Sequence, residues 1–150
     1  MRYGRSMALI AVPFLALGGA LALSEVGNYA IVGERGMYRD GSELVYRWSD
    51  IEFVEVGCNE TKDTSSLIYK LHFEDGWGVD LADSDPVGLT LLEALERADD
   101  TILAHNKQFR LWEWLGRNPM HPDCLAHYQD SWSVDDFQRL KSVLHVDELT

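Results

Sequence analysis

Positive charge is scarce in this sequence. It carries 13 Lys and Arg against 25 Asp and Glu, a net charge of −12 over 150 residues. Phosphate backbones and anionic lipid head groups are held by clusters of Lys and Arg, and the chain has no such cluster, which argues against nucleic acid as a partner. Cysteine is scarce too, with only Cys58 and Cys124. There is no Gly-rich phosphate loop, no nucleophile elbow and no paired-carboxylate motif, and neither a repeat nor a low-complexity tract. The expectation is a chain that is not an enzyme and needs no cofactor or metal.

What the sequence does have is one long apolar run. Met7 to Leu23 reads MALIAVPFLALGGALAL, follows Arg2 and Arg5, and meets no ionisable group before Glu25. Basic residues before an uncharged run are the layout of a signal peptide or a membrane anchor. A spanning helix needs about 20 apolar residues, with a lower limit near 17, and the run stands at that limit. Gly18 and Gly19 loosen its end, and Ala20-Leu21-Ala22 or Ala22-Leu23-Ser24 offers small residues to a signal peptidase. Residues 1–24 are therefore expected to form a hydrophobic helix, either cleaved or retained as an anchor, the alternative being a buried helix of a soluble protein. Arg2 and Arg5 favour a cytoplasmic N-terminus with the domain outside the cytoplasm, although Arg35 and Arg39 lie close enough to weaken that bias.

The remaining chain, with a hydrophobic fraction of 46% overall, is enough for one compact domain. Its acidity is concentrated: residues 25–105 hold six Lys and Arg against 18 Asp and Glu, whereas residues 106–150 hold five against seven. Such a surface keeps a protein soluble and would steer in a basic partner fastest. Cys58 and Cys124 are either a disulfide, which an oxidising compartment permits, or two separate small buried residues. Asn59-Glu60-Thr61 matches a glycosylation acceptor in a eukaryotic secretory host.

From Tyr29 to Asp80 the pattern predicts short antiparallel strands. Tyr29 to Val32 is followed by a turn at Gly33-Glu34-Arg35-Gly36 and by Met37-Tyr38-Arg39. Asp40-Gly41 marks a hairpin into a strand with Leu44, Tyr46 and Trp48 on one face. After Ser49-Asp50, Ile51 to Cys58 resumes as strand, and Glu60 to Ser66 reads as a polar loop. Leu67, Tyr69, Leu71 and Phe73 then alternate with Ile68, Lys70, His72 and Glu74, and Asp75-Gly76 turns into Trp77, Val79 and Leu81. Helical spacing follows: Asp85 as N-cap and Pro86 at the first position start a helix with Leu91, Leu95, Ala98 and Ile102 on one stripe. Glu93, Glu96, Arg97 and Asp100 lie away from that stripe, and Asp99-Asp100 reads as a solvated face.

Phe109 to Leu115, with Trp112 and Trp114, predicts a short helix ended by Gly116, and Asn118-Pro119 and His121-Pro122 an irregular connection. Ser133 with Asp136 caps a last helix that buries Phe137, Leu140, Val143 and Leu144. The fold class is α+β: an antiparallel meander closed by an amphipathic helix over residues 25–106, a helical C-terminal extension over 107–150, and the N-terminal hydrophobic helix.

A turn glycine before an aromatic strand, a hairpin, a strand running into Trp48-Ser49-Asp50-Ile51, more strands and a closing helix resemble small bacterial PH-like domains found beside transmembrane segments. The resemblance covers roughly Tyr29 to His105 and is most specific over Gly36 to Ile51. It implies a half-barrel fold and a membrane-linked scaffold that binds rather than catalyses, and it transfers no site residue.

His121, Cys124 and His127 are spaced three apart and, with Asp123 or Asp130, could ligate zinc; the alternative is a turn with incidental His and Cys. His72 reads as an exposed cross-strand histidine with no partner to make it a base. The function expected is a membrane- or envelope-associated domain that binds an unidentified protein. The alternative is an acidic immunity or inhibitor protein that neutralises a basic partner or toxin.

Overall fold

The computed structural model describes residues 21–25, 28–33, 35–39, 43–62, 64–86, 89–113 and 118–149. Residues 1–20, where most of the expected N-terminal helix falls, lie outside them. The described chain is α+β, with two sheets and helices.

The first sheet holds five strands in the order β4-β3-β2-β1-β8, the last of them Asp85–Pro86 (β8). Four of them are β1 (Leu21–Glu25), β2 (Asn28–Gly33), β3 (Gly36–Arg39) and β4 (Glu43–Arg47). The β2, β3 and β4 meander follows the alternation read from the sequence. Gly36 has φ +141°, and a Cβ there would meet the Tyr46 carbonyl oxygen at 2.0 Å, so only glycine fits where β3 crosses β4. The expected Asp40-Gly41 hairpin lies outside the described residues, between the paired Arg39 and Glu43.

β1 is an addition that the sequence did not suggest. Leu21 to Leu23, the end of the apolar run, pair with Val32 to Ala30 of β2. The expected boundary at Ser24 therefore falls inside a strand.

The second sheet has the order β7-β6-β5-β9, with Gln108–Leu111 (β9) at one edge. Its centre is the antiparallel pair β5 (Ile51–Thr61) and β6 (Thr64–Phe73), followed by β7 (Gly78–Asp80). On the inner face Val54, Val56 and Cys58 oppose Leu71, Tyr69 and Leu67, all buried. The predicted loop over Glu60 to Ser66 is instead ladder: Asn59 pairs with Ser66, Glu60 with Ser65 and Thr61 with Thr64. Polar residues are tolerated there because the ladder's end runs past the core, where the Thr61 hydroxyl donates to the Thr64 carbonyl at 3.1 Å. Asn59 of the acceptor sequence is thus half-buried in a paired strand. The Asp75-Gly76 hairpin forms as expected, with Gly76 at φ +82°. The sheets meet where Tyr46 of β4 stacks on Trp77 at 4.7 Å and touches Phe73 at 4.3 Å.

Asp85 and Pro86 do not start a helix; they form β8, which pairs with Ala22 and Leu21 of β1. Helix α1 (Leu91–Ala104) begins at Thr90, whose hydroxyl accepts from the Glu93 amide at 3.2 Å while Glu93 accepts from the Thr90 amide at 2.8 Å. This reciprocal capping box outcompetes a proline at N1 because it satisfies two otherwise orphaned donors. Leu92, Ala94, Leu95, Ala98 and Ile102 face the core, and Leu91 is only half-buried.

The expected helix over Phe109 to Leu115 is instead strand over Phe109 to Leu111, and Trp112 and Glu113 belong to no element. β9 (Gln108–Leu111) runs parallel to β5, with Val54 opposite Phe109 and Glu55 opposite Arg110. Its residues alternate polar and apolar, a two-residue period that the helical reading of the Trp pair overlooked. Trp114 and Gly116 lie outside the described residues. The C-terminal part is therefore built into the sheet before it becomes helical. Helices α2 (Pro122–Ser131), α3 (Val134–Val143) and α4 (Val146–Leu149) follow. In α2, Pro122 follows the N-cap His121, and Ser133 caps α3 through the Asp136 amide. Phe137, Leu140, Val143 and Leu144 are buried as the stripe predicts.

Cys58 on β5 and Cys124 on α2 are joined in a disulfide, with Cα atoms 5.7 Å apart and 66 positions of sequence between them. Both are fully buried. Replacing both with Ala removes the constraint on a loop of that length, worth about 4 kcal/mol in a chain-entropy account. The expected outcome is a lower urea midpoint for the double variant than for the oxidised protein. Thr90→Ala is expected to cost about 1 kcal/mol, whereas Asp85→Ala leaves the helix onset unchanged; chemical shifts of residues 88–94 check both.

Candidate functional site

Two constellations bring together side chains that are distant in sequence. The first is buried between α1, β6, β9 and the corner from α3 to α4. Asp99 follows Ala98 on the core side of α1, so its carboxylate is directed into the protein. Its Oδ1 accepts from the Tyr69 hydroxyl at 2.7 Å and lies 3.0 Å from Nε2 of His145. The other ring nitrogen, Nδ1, lies 3.2 Å from Oε2 of Glu148. The Phe109 ring lies against the imidazole, with centroids 3.9 Å apart.

Burial fixes the character of this group. Tyr69, His145 and Asp99 are 0%, 6% and 7% exposed. Burial, then the adjacent Asp99 charge, raises the Tyr69 phenol well above its ordinary pKa, so the hydroxyl stays protonated and donates. For His145, burial by itself would lower the pKa. The hydrogen bond and charge of Asp99, then those of Glu148, outweigh it, and the net direction is upward. A Tyr, Asp and His in one network can move protons in principle. Here no group of the three reaches solvent far enough to touch a substrate, and the network joins four elements instead.

The expected solvated Asp99-Asp100 face is thus half right: Asp100 is exposed and Asp99 is not. The sequence held one usable signal, since Asp99 stands beside Ala98 and three residues before Ile102 on the apolar stripe. Nothing local to His145 announces its role.

The second constellation is on the outer face of the four-stranded sheet. His72 is not a lone exposed histidine: Nε2 lies 2.6 Å from Oε2 of Glu55, and its ring stacks on Phe53 at 4.4 Å and 13°. The Arg110 guanidinium sits 4.1 Å from the Phe53 centroid, close enough for a cation–π contact. The cross-strand register creates this group, because Phe53 opposes His72 and Glu55 opposes Arg110. Farther along this face Trp112 covers Gly57, where a Cβ would meet the Trp112 Cβ at 3.1 Å and the Pro119 carbonyl oxygen at 2.9 Å.

The suggested zinc set does not assemble. The Cys124 sulfur is bonded to Cys58, His127 is exposed, and the Nδ1 of His121 accepts from the Asp123 amide at 3.3 Å as a helix cap. Among the described residues no three His, Cys, Asp or Glu side chains are grouped to hold a metal. Among the same residues no helix is long and apolar enough to cross a membrane. No family model matches the chain, and neither a curated protein nor a solved structure matches it.

Tyr69→Phe removes one donor to Asp99 and is expected to cost about 1 to 2 kcal/mol, while Asp99→Ala leaves two buried groups unpaired and costs about 3 kcal/mol. Denaturant unfolding of the two variants checks this order.

Proposed function

We propose that the protein is exported across a membrane by its N-terminal segment and acts outside the cytoplasm as a non-catalytic domain that binds a protein partner. The observation that carries this reading is the buried Cys58–Cys124 disulfide, since such bonds form and persist in oxidising compartments. Strand β1 sharpens the reading of the N-terminus. With Leu21 to Leu23 paired in the sheet, the uncharged run ahead of the strand is residues 7–20. That is short of the roughly 17 residues that a spanning helix needs and within the roughly 7 to 15 of a signal-peptide core. Removal of the segment upstream of Leu21 keeps β8 attached, whereas a cut after Ala22 deletes both β1 residues that hold it.

The contact face we assign is the outer side of β5, β6 and β9, where Phe53, Trp112 and Arg110 are residue types enriched at interfaces. The PH-like reading draws support from the meander and from α1; β9, returning beside β5 in parallel, departs from that pattern. The excess of acid favours the second reading, an immunity-type binder of a basic toxin.

Cell fractionation with mass measurement of the isolated protein tests export. The expected product is a soluble extracytoplasmic chain beginning at or before Leu21, two hydrogens lighter than its reduced form. A full-length cytoplasmic protein with free thiols would overturn the proposal. Complexes that survive high salt and are lost in Phe53→Ser fit the sheet-face reading; complexes dissolved by salt fit the acidic-binder reading.

A further inference from the structure

The corner that joins α3 to α4 packs Leu144 and Val146 into the core, carries the Lys141–Asp147 pair across it, and sends one polar side chain, that of His145, into the protein. His145 has φ +51°, a left-handed conformation that is unfavourable for a non-glycine residue and persists only where its surroundings hold it. Its carbonyl accepts from the amides of Glu148 and Leu149, both at 3.1 Å, and so closes α4. Its ring reaches the other way, into the protein.

The ring has a carboxylate oxygen at each nitrogen: Asp99 Oδ1 at 3.0 Å from Nε2 and Glu148 Oε2 at 3.2 Å from Nδ1. A neutral imidazole carries one N–H, so one carboxylate would face a bare nitrogen lone pair; an imidazolium donates to both. The Phe109 ring against the imidazole adds an aromatic surface that favours a cation. This geometry is complete only when the histidine is doubly protonated.

We propose that His145 is a pH-operated latch, which in its protonated form clamps the C-terminal corner and α4 to α1 and on losing its proton lets α4 loosen. The groups facing it are Asp99 and, farther out, exposed Asp100 on α1; the Tyr69 phenol on β6; and Glu148 on α4. Lys141 of α3 is occupied by Asp147 at 3.3 Å, and Arg139 by Glu96 of α1 and Asp136 at the start of α3. β9 brings Phe109 and Leu111, both apolar, to this side; its Arg110 lies on the opposite face of the sheet. Carboxylates therefore dominate around the imidazole. Glu148 is 76% exposed at its side chain, so solvent screens its share and Asp99 carries most of the effect.

The direction with pH follows from linkage. The folded-state pKa of His145 lies above its ordinary 6.5, so the latch is fully engaged below that value. Its contribution is lost as pH rises through the folded value. Falling pH tightens the corner and rising pH releases it.

The test is amide hydrogen exchange on the full chain between about pH 5.5 and about pH 8, bracketing the ordinary imidazole range, together with a titration of the His145 ring by NMR. The expected result is that protection factors of the Glu148 and Leu149 amides fall with pH. The fall should approach about tenfold per pH unit between the ordinary and the folded pKa, while amides within α1 hold their protection. His145→Gln should abolish this selective dependence. Glu148→Gln, a change at an exposed position that leaves the core intact, should lower the ring pKa and narrow the window. A ring that titrates at or below its ordinary value would sink the latch, as would α4 protection that follows α1 across the range. If His145→Gln does not fold, the wild-type titration and Glu148→Gln decide the matter alone.

Discussion

Everything else in the described structure is attached to the β5 and β6 ladder. Ten residue pairs run from Ile51 opposite Phe73 to Thr61 opposite Thr64, and their inner face is a continuous apolar surface from Phe73 to Cys58. A two-stranded ribbon is marginal in water by itself, so this surface needs a cover, and α1, α2 and α3 supply it. β7 and β9 extend the ladder on either side, and Tyr46 links the other sheet to the β6–β7 hairpin. The alternation of the two strands also fixes the opposite, outer face, where the same register aligns Phe53 with His72 and Glu55 with Arg110. The candidate contact surface is thus the reverse side of the core.

The C-terminal third is bound in by three different kinds of interaction. β9 contributes backbone pairing beside β5, the disulfide fastens α2 to the same strand, and the Tyr69, Asp99 and His145 network draws in the corner after α3. The first two are insensitive to modest changes in pH. The third is not, because its histidine is surrounded by carboxylates. Covalent closure and strand pairing hold the framework, which leaves the last turn of chain free to respond without unfolding the rest.

The polar network is also where local chemistry and tertiary context disagree most. Asp99 in an isolated helix would be a charged surface residue. Inside, its carboxylate is satisfied by a phenol from 30 positions earlier and an imidazole from 46 positions later. A buried acid is tolerable only with such partners.

Much of the framework was legible in the sequence. Alternation over Leu67 to Phe73 with Asp75-Gly76 determined the hairpin, the spacing of Leu95, Ala98 and Ile102 determined α1, and Ser133 with Asp136 determined α3, because each is a local periodicity or a cap within a few residues. Thr90 with Glu93 was an equally local signal that Asp85-Pro86 obscured. Tertiary structure decided the rest. Whether Leu21 to Leu23 end a hydrophobic segment or add a strand depends on β2 and β8. Whether Gln108 to Leu111 become helix or strand depends on the open edge of β5. The partners of Cys58, Asp99 and His72 lie between 17 and 66 positions away, and of the two carboxylates at His145 the buried one, Asp99, is 46 positions back. Local propensity carries no information at that range; only the packing of one ladder against its cover brings such side chains within bonding distance.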